Sequence, residues 1–264
     1  MDFTSRNLTI PRGRVMFAEF RPGTKVPGAQ RFMGNCPEFT LSREGNTVDH
    51  YASTSGMQNK DASIPIGGDM SGTLITDDIQ PANMRYWFMG ENTAVAVTAQ
   101  TDVAYTLEDV EPDNYYQIGR TEQNPLGAMQ LSSVTVTGGT EFEDYEVDLV
   151  SGQIWIMPNS SLTGDVQLTY SAQAHNYRRV TSGDLSIEGE LTFVSDNPYG
   201  PNRRVVIPRA KLSPNGDLSF LTDPESPAFQ QLSFQLQLLQ KGNLPLYLSA
   251  DGLPSAADAA ATVE

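Results

Sequence analysis

Two histidines, His50 and His175, and one cysteine, Cys36, are the side chains of this 264-residue chain best suited to proton transfer or soft-metal ligation near neutral pH. They stand far apart in sequence, and no second His or Cys lies at metal-binding spacing. His50 sits in the polar run "NTVDHYAS", where an unpartnered imidazole is a solvated side chain. Cys36, in "GNCPEF", precedes a strand-like run and reads as a buried, inert thiol. No Gly-rich phosphate loop and no Gly-X-Ser-X-Gly elbow occurs. Two acidic clusters remain. "LEDVEPDN" supplies Glu108, Asp109, Glu111 and Asp113, oxygen ligands enough for Ca²⁺ but without the glycine-turned spacing of a calcium loop. "EFEDYEVD" (Glu141, Glu143, Asp144, Glu146 and Asp148) alternates with apolar residues and reads as the wet face of a strand. A glycosidase needs two carboxylates opposed across a cleft, which spacing alone does not supply. The expectation is a protein without catalytic residues, metal ligands or cofactors.

The tryptophans pose a different question. Trp87 lies among apolar residues in "NMRYWFMG" and reads as core. Trp155 alternates with Ile154 and Ile156 in "QIWIMP", so either it or they face outward. An outward Trp on a strand could stack on sugar, which keeps a carbohydrate-binding β-sandwich open as an alternative.

The elements that must position these residues are mostly strands. Period-two alternation recurs in "EFTLSRE", "SGTLIT", "YEVDLVSGQIWIMP", "GDVQLTYSAQA", "GDLSIEGELTFVSD" and "LSFQLQLLQ". It assigns Phe39, Leu41, Leu185, Ile187, Leu191, Leu232, Phe234 and Leu236 to a buried face. Glu38, Ser186, Glu188, Glu190, Gln235 and Gln237 fall on the opposite face. "YEVDLVSGQIWIMP" predicts a hairpin turning at Ser151-Gly152. One clear helix is expected over "IQPANMRYWFMG", capped by Asp77 or Asp78 and ended by Gly90, with a weaker candidate in "DPESPAFQQL". "TLEDVEPDNYYQIGRTEQNP" reads as polar and irregular. Between two strand-like runs stands "SREGNTVDHYASTSGMQNKDASI", read as a long polar connection over about residues 43–63.

Composition limits the partners. Seventeen bases against 32 acids give a formal charge of −15, which repels nucleic acid and argues against a DNA-wrapping or RNA-reading role. No apolar run approaches the roughly 18–20 residues of a membrane-spanning helix. The start "MDFTSRNLTIPRGR" lacks a basic-then-apolar secretory pattern, and a single cysteine excludes an intrachain disulfide. The Asn-X-Ser/Thr matches at Asn7 and Asn159 therefore carry little weight.

The order strand "PEFTLSRE", long connection, strand "SGTLITDDI", helix "QPANMRYWFMG", then the late strands "SGDLSIEGELTFVSD" and "LSFQLQLLQ" resembles the major tail tube proteins of long-tailed bacteriophages. Residues 30–92 carry the resemblance best, 180–250 more loosely. It implies an antiparallel β-sandwich or barrel with one flanking helix. Six subunits would join their sheets into an inner β-barrel, and the rings would stack into a tube that passes DNA without specific binding. The connection would reach neighbouring copies through Arg43, Glu44, Asp49, His50, Tyr51, Met57, Gln58, Lys60 and Asp61. The lumen would be lined by Glu38, Glu44, Ser186, Glu188, Glu190, Gln235 and Gln237, a net acidic wall. Residues 1–91 with 179–250 would form the tube domain, 92–178 an outer β-rich insertion, and 251–264 a mobile tail. The implied place is the virion, after synthesis in the host cytoplasm, beside tape measure, terminator and distal tail proteins and without a membrane partner. A terminator or baseplate ring protein of the same fold is the nearer rival.

Overall fold

The computed structural model describes residues 8–52, 56 and 58–253. The alternating runs become strands β1 (Gly13–Glu19), β2 (Arg31–Phe32), β3 (Glu38–Ala52) and β4 (Asn59–Thr76), followed by helix α1 (Pro81–Trp87). Then come β5 (Glu91–Val97), β6 (Gln100–Val110), β7 (Tyr115–Gln117), β8 (Leu131–Val136), β9 (Tyr145–Asp148), β10 (Gln153–Ile156), β11 (Gly164–Ala172) and β12 (His175–Thr181). The last strands are β13 (Ile187–Ser195), β14 (Asn202–Pro214), β15 (Leu232–Leu238) and β16 (Leu248–Leu253). The fold is mainly β with antiparallel sheets, and α1 is the one helix among the described residues. The chain divides into two units, Met1–Asn92 with Val180–Glu264, and Thr93–Arg179.

The first unit is an eight-stranded sheet in the order β2-β1-β13-β14-β15-β4-β3, with β16 pairing the first half of β14 and β15 the second. Ile187, Leu191, Leu212, Leu232, Phe234 and Leu236 are fully buried on one face, and Phe39 and Leu41 pack partly buried against them. The sheet curls until Phe39 of β3 meets Phe193 of β13, ring to ring at 5.8 Å, although β14, β15 and β4 lie between those strands in the ladder order. Among the described residues it does not close: β3 pairs with β4 and with no other strand. Leu185, expected in the core, is 43% exposed. It precedes β13, and its amide donates to the Met89 carbonyl at 2.8 Å, which ties it to the exit of the helix instead of the sheet.

Helix α1 covers the buried face. Pro81 occupies its first turn as the sequence predicts, but the cap is Gln80, not Asp77 or Asp78. Those acids are engaged elsewhere: Asp77 accepts from Asn35 Nδ2 at 2.6 Å and Asp78 from Gln80 Nε2 at 2.7 Å. Buried Asn83 donates to the carbonyls of Asp78 and Met33, fixing the helix entry. Arg85 holds Glu19 of β1 with two bonds of 2.7 and 2.9 Å, a bidentate clamp between helix and sheet. Tyr86 packs edge-on against Phe17 at 5.5 Å. The helix ends at Trp87 with Phe88 as its C-cap, before Gly90.

Three further expectations change. "DPESPAFQQL" forms no helix; it belongs to an irregular connection over 215–231, where its two prolines break the amide ladder a helix needs. Residues 251–253, placed in the tail, finish β16, whose pairing with Asn202 and Arg203 gives them backbone partners; 254–264 lie outside the described residues. The expected long loop is also largely strand, as described below.

The second unit contains two three-stranded sheets, β7-β10-β9 and β6-β11-β8, around buried Ile118, Ile154, Ile156 and Leu168. Its hairpin turns at Ser151-Gly152, where Gly152 takes φ 75°. Asp148 accepts from Ser151 Oγ at 2.6 Å and Val150 N at 2.9 Å, and these bonds hold its carboxyl below the usual range. Asp144 accepts from Thr140 N at 2.8 Å, with the same effect. The acidic "EFEDYEVD" is thus partly a turn-building segment. "TLEDV", read as irregular, is the end of β6; Asp109 takes φ 50° there, which hides the strand from simple alternation.

Candidate assembly surface

β4 pairs with β15 only from Ser71 to Thr76, whereas β3 and β4 pair with each other from Glu38↔Ile75 out to Ala52↔Asn59. From Arg43↔Met70 outward, the two strands therefore have no other strand beside them among the described residues. At about 3.3 Å per residue, positions 43–52 make a two-stranded ribbon roughly 30 Å long. This replaces the expected loop over 43–63. The sequence hid it because two register shifts, at Asn46/Thr47 and His50/Tyr51, interrupt the alternation.

Polar pairs pin the register of the ribbon. Lys60 lies 2.7 Å from Asp49, Ser63 Oγ donates to Asp49 at 2.6 Å, and His50 Nδ1 meets Asp61 at 2.6 Å. Lys60, then Ser63, lowers the Asp49 pKa from its ordinary value. Arg43, Glu44, Asp49, His50 and Tyr51 lie on β3, Lys60 and Asp61 on β4, and Gln58 just before β4. Met57 lies outside the described residues. Glu44 stands opposite Asp69, a like-charge pair that favours opening unless a cation approaches.

Sequence reasoning missed the apolar part of this surface. Val48 and Ile64 stand directly opposite each other, 53% and 60% exposed, with Ile66 at 67%; Tyr51, already among the expected contact residues, joins them at 51%. A polar flanking composition masked the first three. The signal was the β-branched Val48, Ile64 and Ile66, which favour strand over loop.

The sheet face opposite the core is polar and ordered in rows. One row runs Ser42↔Ser71↔Gln237↔Lys211↔Glu188, another Thr40↔Thr73↔Gln235↔Ser213. Ser42 and Ser71 share a hydrogen bond of 2.9 Å. Glu38 is opposite Ile75 at the β3 edge, and Glu190 follows Glu188 on the same side of β13, opposite Ala18. Ser186 is exposed just before β13. The acidity of this face is partly compensated: Arg209 Nε donates to Glu188 at 2.8 Å, and Lys211 stands in register with Glu188, while Glu38, Glu44 and Glu190 keep their place beside the hydroxyls and amides.

The remaining candidates do not converge. Cys36 is partly buried, its pKa pushed up to about 11, chiefly by burial. Among the described residues no three His, Cys, Asp or Glu side chains gather as a metal site. Ile154 and Ile156 point into the core, so Trp155 faces outward and stacks on Tyr115 at 5.9 Å. No curated protein matches the chain. Residues 8–244 do match one family over most of the sequence, and the chain belongs to that family, described as Protein of unknown function UCP028589.

Proposed function

We propose that this protein is a structural subunit of a bacteriophage tail, assembling into hexameric rings that stack into a tube conducting DNA. The β3–β4 ribbon carries this reading. An isolated two-stranded ribbon is marginal in water, and this one exposes four large apolar side chains. A partner that covers it supplies what the chain itself does not, and another copy is the partner available in a self-assembling ring. The outer edge of β3 offers unpaired N–H and C=O groups to a neighbour's sheet, and joining sheets around a ring removes that edge. The polar rows of Thr40, Ser42, Gln235, Gln237 and Glu188 would then line the lumen, where hydroxyls and amides hold no fixed counter-charge for phosphate.

Electron microscopy of concentrated protein tests the reading: hollow tubes or six-fold rings are expected. Deleting residues 48–60 should abolish them and leave a folded monomer. Tubes formed by that deletion protein would contradict the role given to the ribbon, and single rings that never stack would favour a terminator or baseplate ring. A second reading concerns residues 93–179, where the stacked Tyr115 and Trp155 present an aromatic platform suited to a sugar ring. Binding on a glycan array that Trp155→Ala removes would support it.

A further inference from the structure

β14 and β15 are antiparallel neighbours that a short turn could join, yet residues 215–231 connect them. Leu218 packs partly buried against the core near one end of the connection, and Gln230 Nε2 donates to the Ser219 carbonyl at 2.8 Å, which ties the two arms of the segment to each other. Between these contacts Phe220, Leu221 and Phe229 are 73%, 91% and 92% exposed. Held outward in this way, they leave most of their apolar surface in water. The same segment carries Asp217, Asp223 and Glu225 and no Lys or Arg.

The first unit also leaves its curled sheet open at the seam between β3 and the run into β1. A cleft of about 650 Å³ lies there, with apolar walls of Val15, Phe39, Leu41, Phe193 and Val205. Its charged lining is Arg12, Arg203 and Glu38, two bases to one acid on a chain of charge −15. Arg203 lies 3.4 Å from Asp251, while the Arg12 guanidinium donates to the Pro11 carbonyl. No residue of 215–231 lines the cleft of its own chain.

We propose that the 215–231 segment of one copy docks in the seam cleft of a second copy, its aromatic side chains against Phe39 and Phe193 and its acids against Arg12 and Arg203. The inference rests on the self-assembly reading and adds a contact distinct from the ribbon. Apolar knobs meet an apolar hole of sufficient volume, and the opposite charges set the approach. Knob and hole lie on different surfaces of one chain, so the contact is head-to-tail and propagates until a ring closes or a filament forms.

The test places photoreactive benzoyl-phenylalanine at position 229 of the full chain. Unlabelled and ¹⁵N-labelled protein are mixed, concentrated and irradiated, and adducts are mapped by mass spectrometry. The expected result is adducts between copies, on residues 9–15, 35–41 or 193–205. Phe220→Ser with Leu221→Ser should raise the assembly threshold on the order of tenfold or more, with far-ultraviolet circular dichroism unchanged. Adducts within one chain, adducts outside the cleft, or no adduct at all would overturn the proposal. Tubes whose adducts lie elsewhere would sink this contact and leave the functional reading standing. Cleft adducts in filaments without six-fold rings would keep the contact and sink the ring.

Discussion

Replacing Val48, Tyr51, Ile64 and Ile66 together by serine separates assembly from folding. In the isolated chain these side chains keep about half to two-thirds of their surface wet. Burying such a side chain completely contributes about 1.5–3 kcal/mol, so burying the remaining part adds about 1 kcal/mol each and about 4 kcal/mol for the four. Ordering the ribbon against a neighbour offsets part of that. A net loss of about 3–4 kcal/mol weakens association by roughly two to three orders of magnitude at 1.4 kcal/mol per tenfold. Monomer stability should move little, because exposed substitutions stay within about 0.5 kcal/mol each. Sedimentation across a concentration series reads the threshold, and thermal melting of dilute protein reads the fold. An unchanged threshold would refute the ribbon as the assembly element. A large fall in melting temperature would place these residues in the fold itself.

Two predictions follow from the titrating groups. Cys36 should react with a disulfide-exchange reagent at pH 8 much more slowly than a free thiol, because burial raises its pKa to about 11, and should reach the free rate only on unfolding; a free-thiol rate in the folded protein would contradict its placement. Asp49 has a folded pKa below its unfolded value, so its contribution is present above about pH 4 and is lost as pH falls through the folded value. Protection of the ribbon amides, taken relative to the intrinsic exchange rate at each pH, should therefore fall below about pH 4 in the parent protein and show no such step at that site in Asp49→Asn; identical profiles would remove the Lys60–Asp49–Ser63 cluster as a register pin.

What the sequence disclosed was set by how far side-chain pattern reports on structure. Ile187, Leu191, Leu232, Phe234 and Leu236 alternate with polar residues because one sheet face is covered and the other is not, and that asymmetry is visible in any single strand. Pro81 marks the helix start because it suits only the first turn. The ribbon is hidden for the opposite reason: with both faces wet, nothing selects alternation, and Asn46, Gly67 and Gly68 look like loop. Leu185 departs from the expectation because a pattern cannot say where a strand begins. Phe220, Leu221 and Phe229 fit neither period, so their exposure emerges only from three-dimensional placement. The polar rows are legible as residues, but the Glu188–Arg209 pair is not, since Arg209 lies 21 positions away on the neighbouring strand.

That ion pair decides how a tube wall of this kind would treat DNA. The acidity of the chain is unevenly placed: residues 93–179 hold 12 of the 32 acids and 3 of the 17 bases, a net −9, which leaves −6 for all the rest. Overall charge therefore says little about the polar face, where Glu188 offsets Arg209 and Lys211 stands beside it. Glu188→Gln keeps the shape of the side chain and removes the compensation, leaving Arg209 and Lys211 as a local cationic pair on a face that otherwise carries Glu38, Glu44 and Glu190. Assembled protein carrying this change should retain double-stranded DNA at low salt where the parent does not. Each phosphate that these cations neutralise should steepen the fall of log affinity with log salt by about 0.9. Retention equal to that of the parent, in tubes of normal appearance, would mean that this face does not meet the DNA, and the lumen would have to be sought on another surface of the subunit.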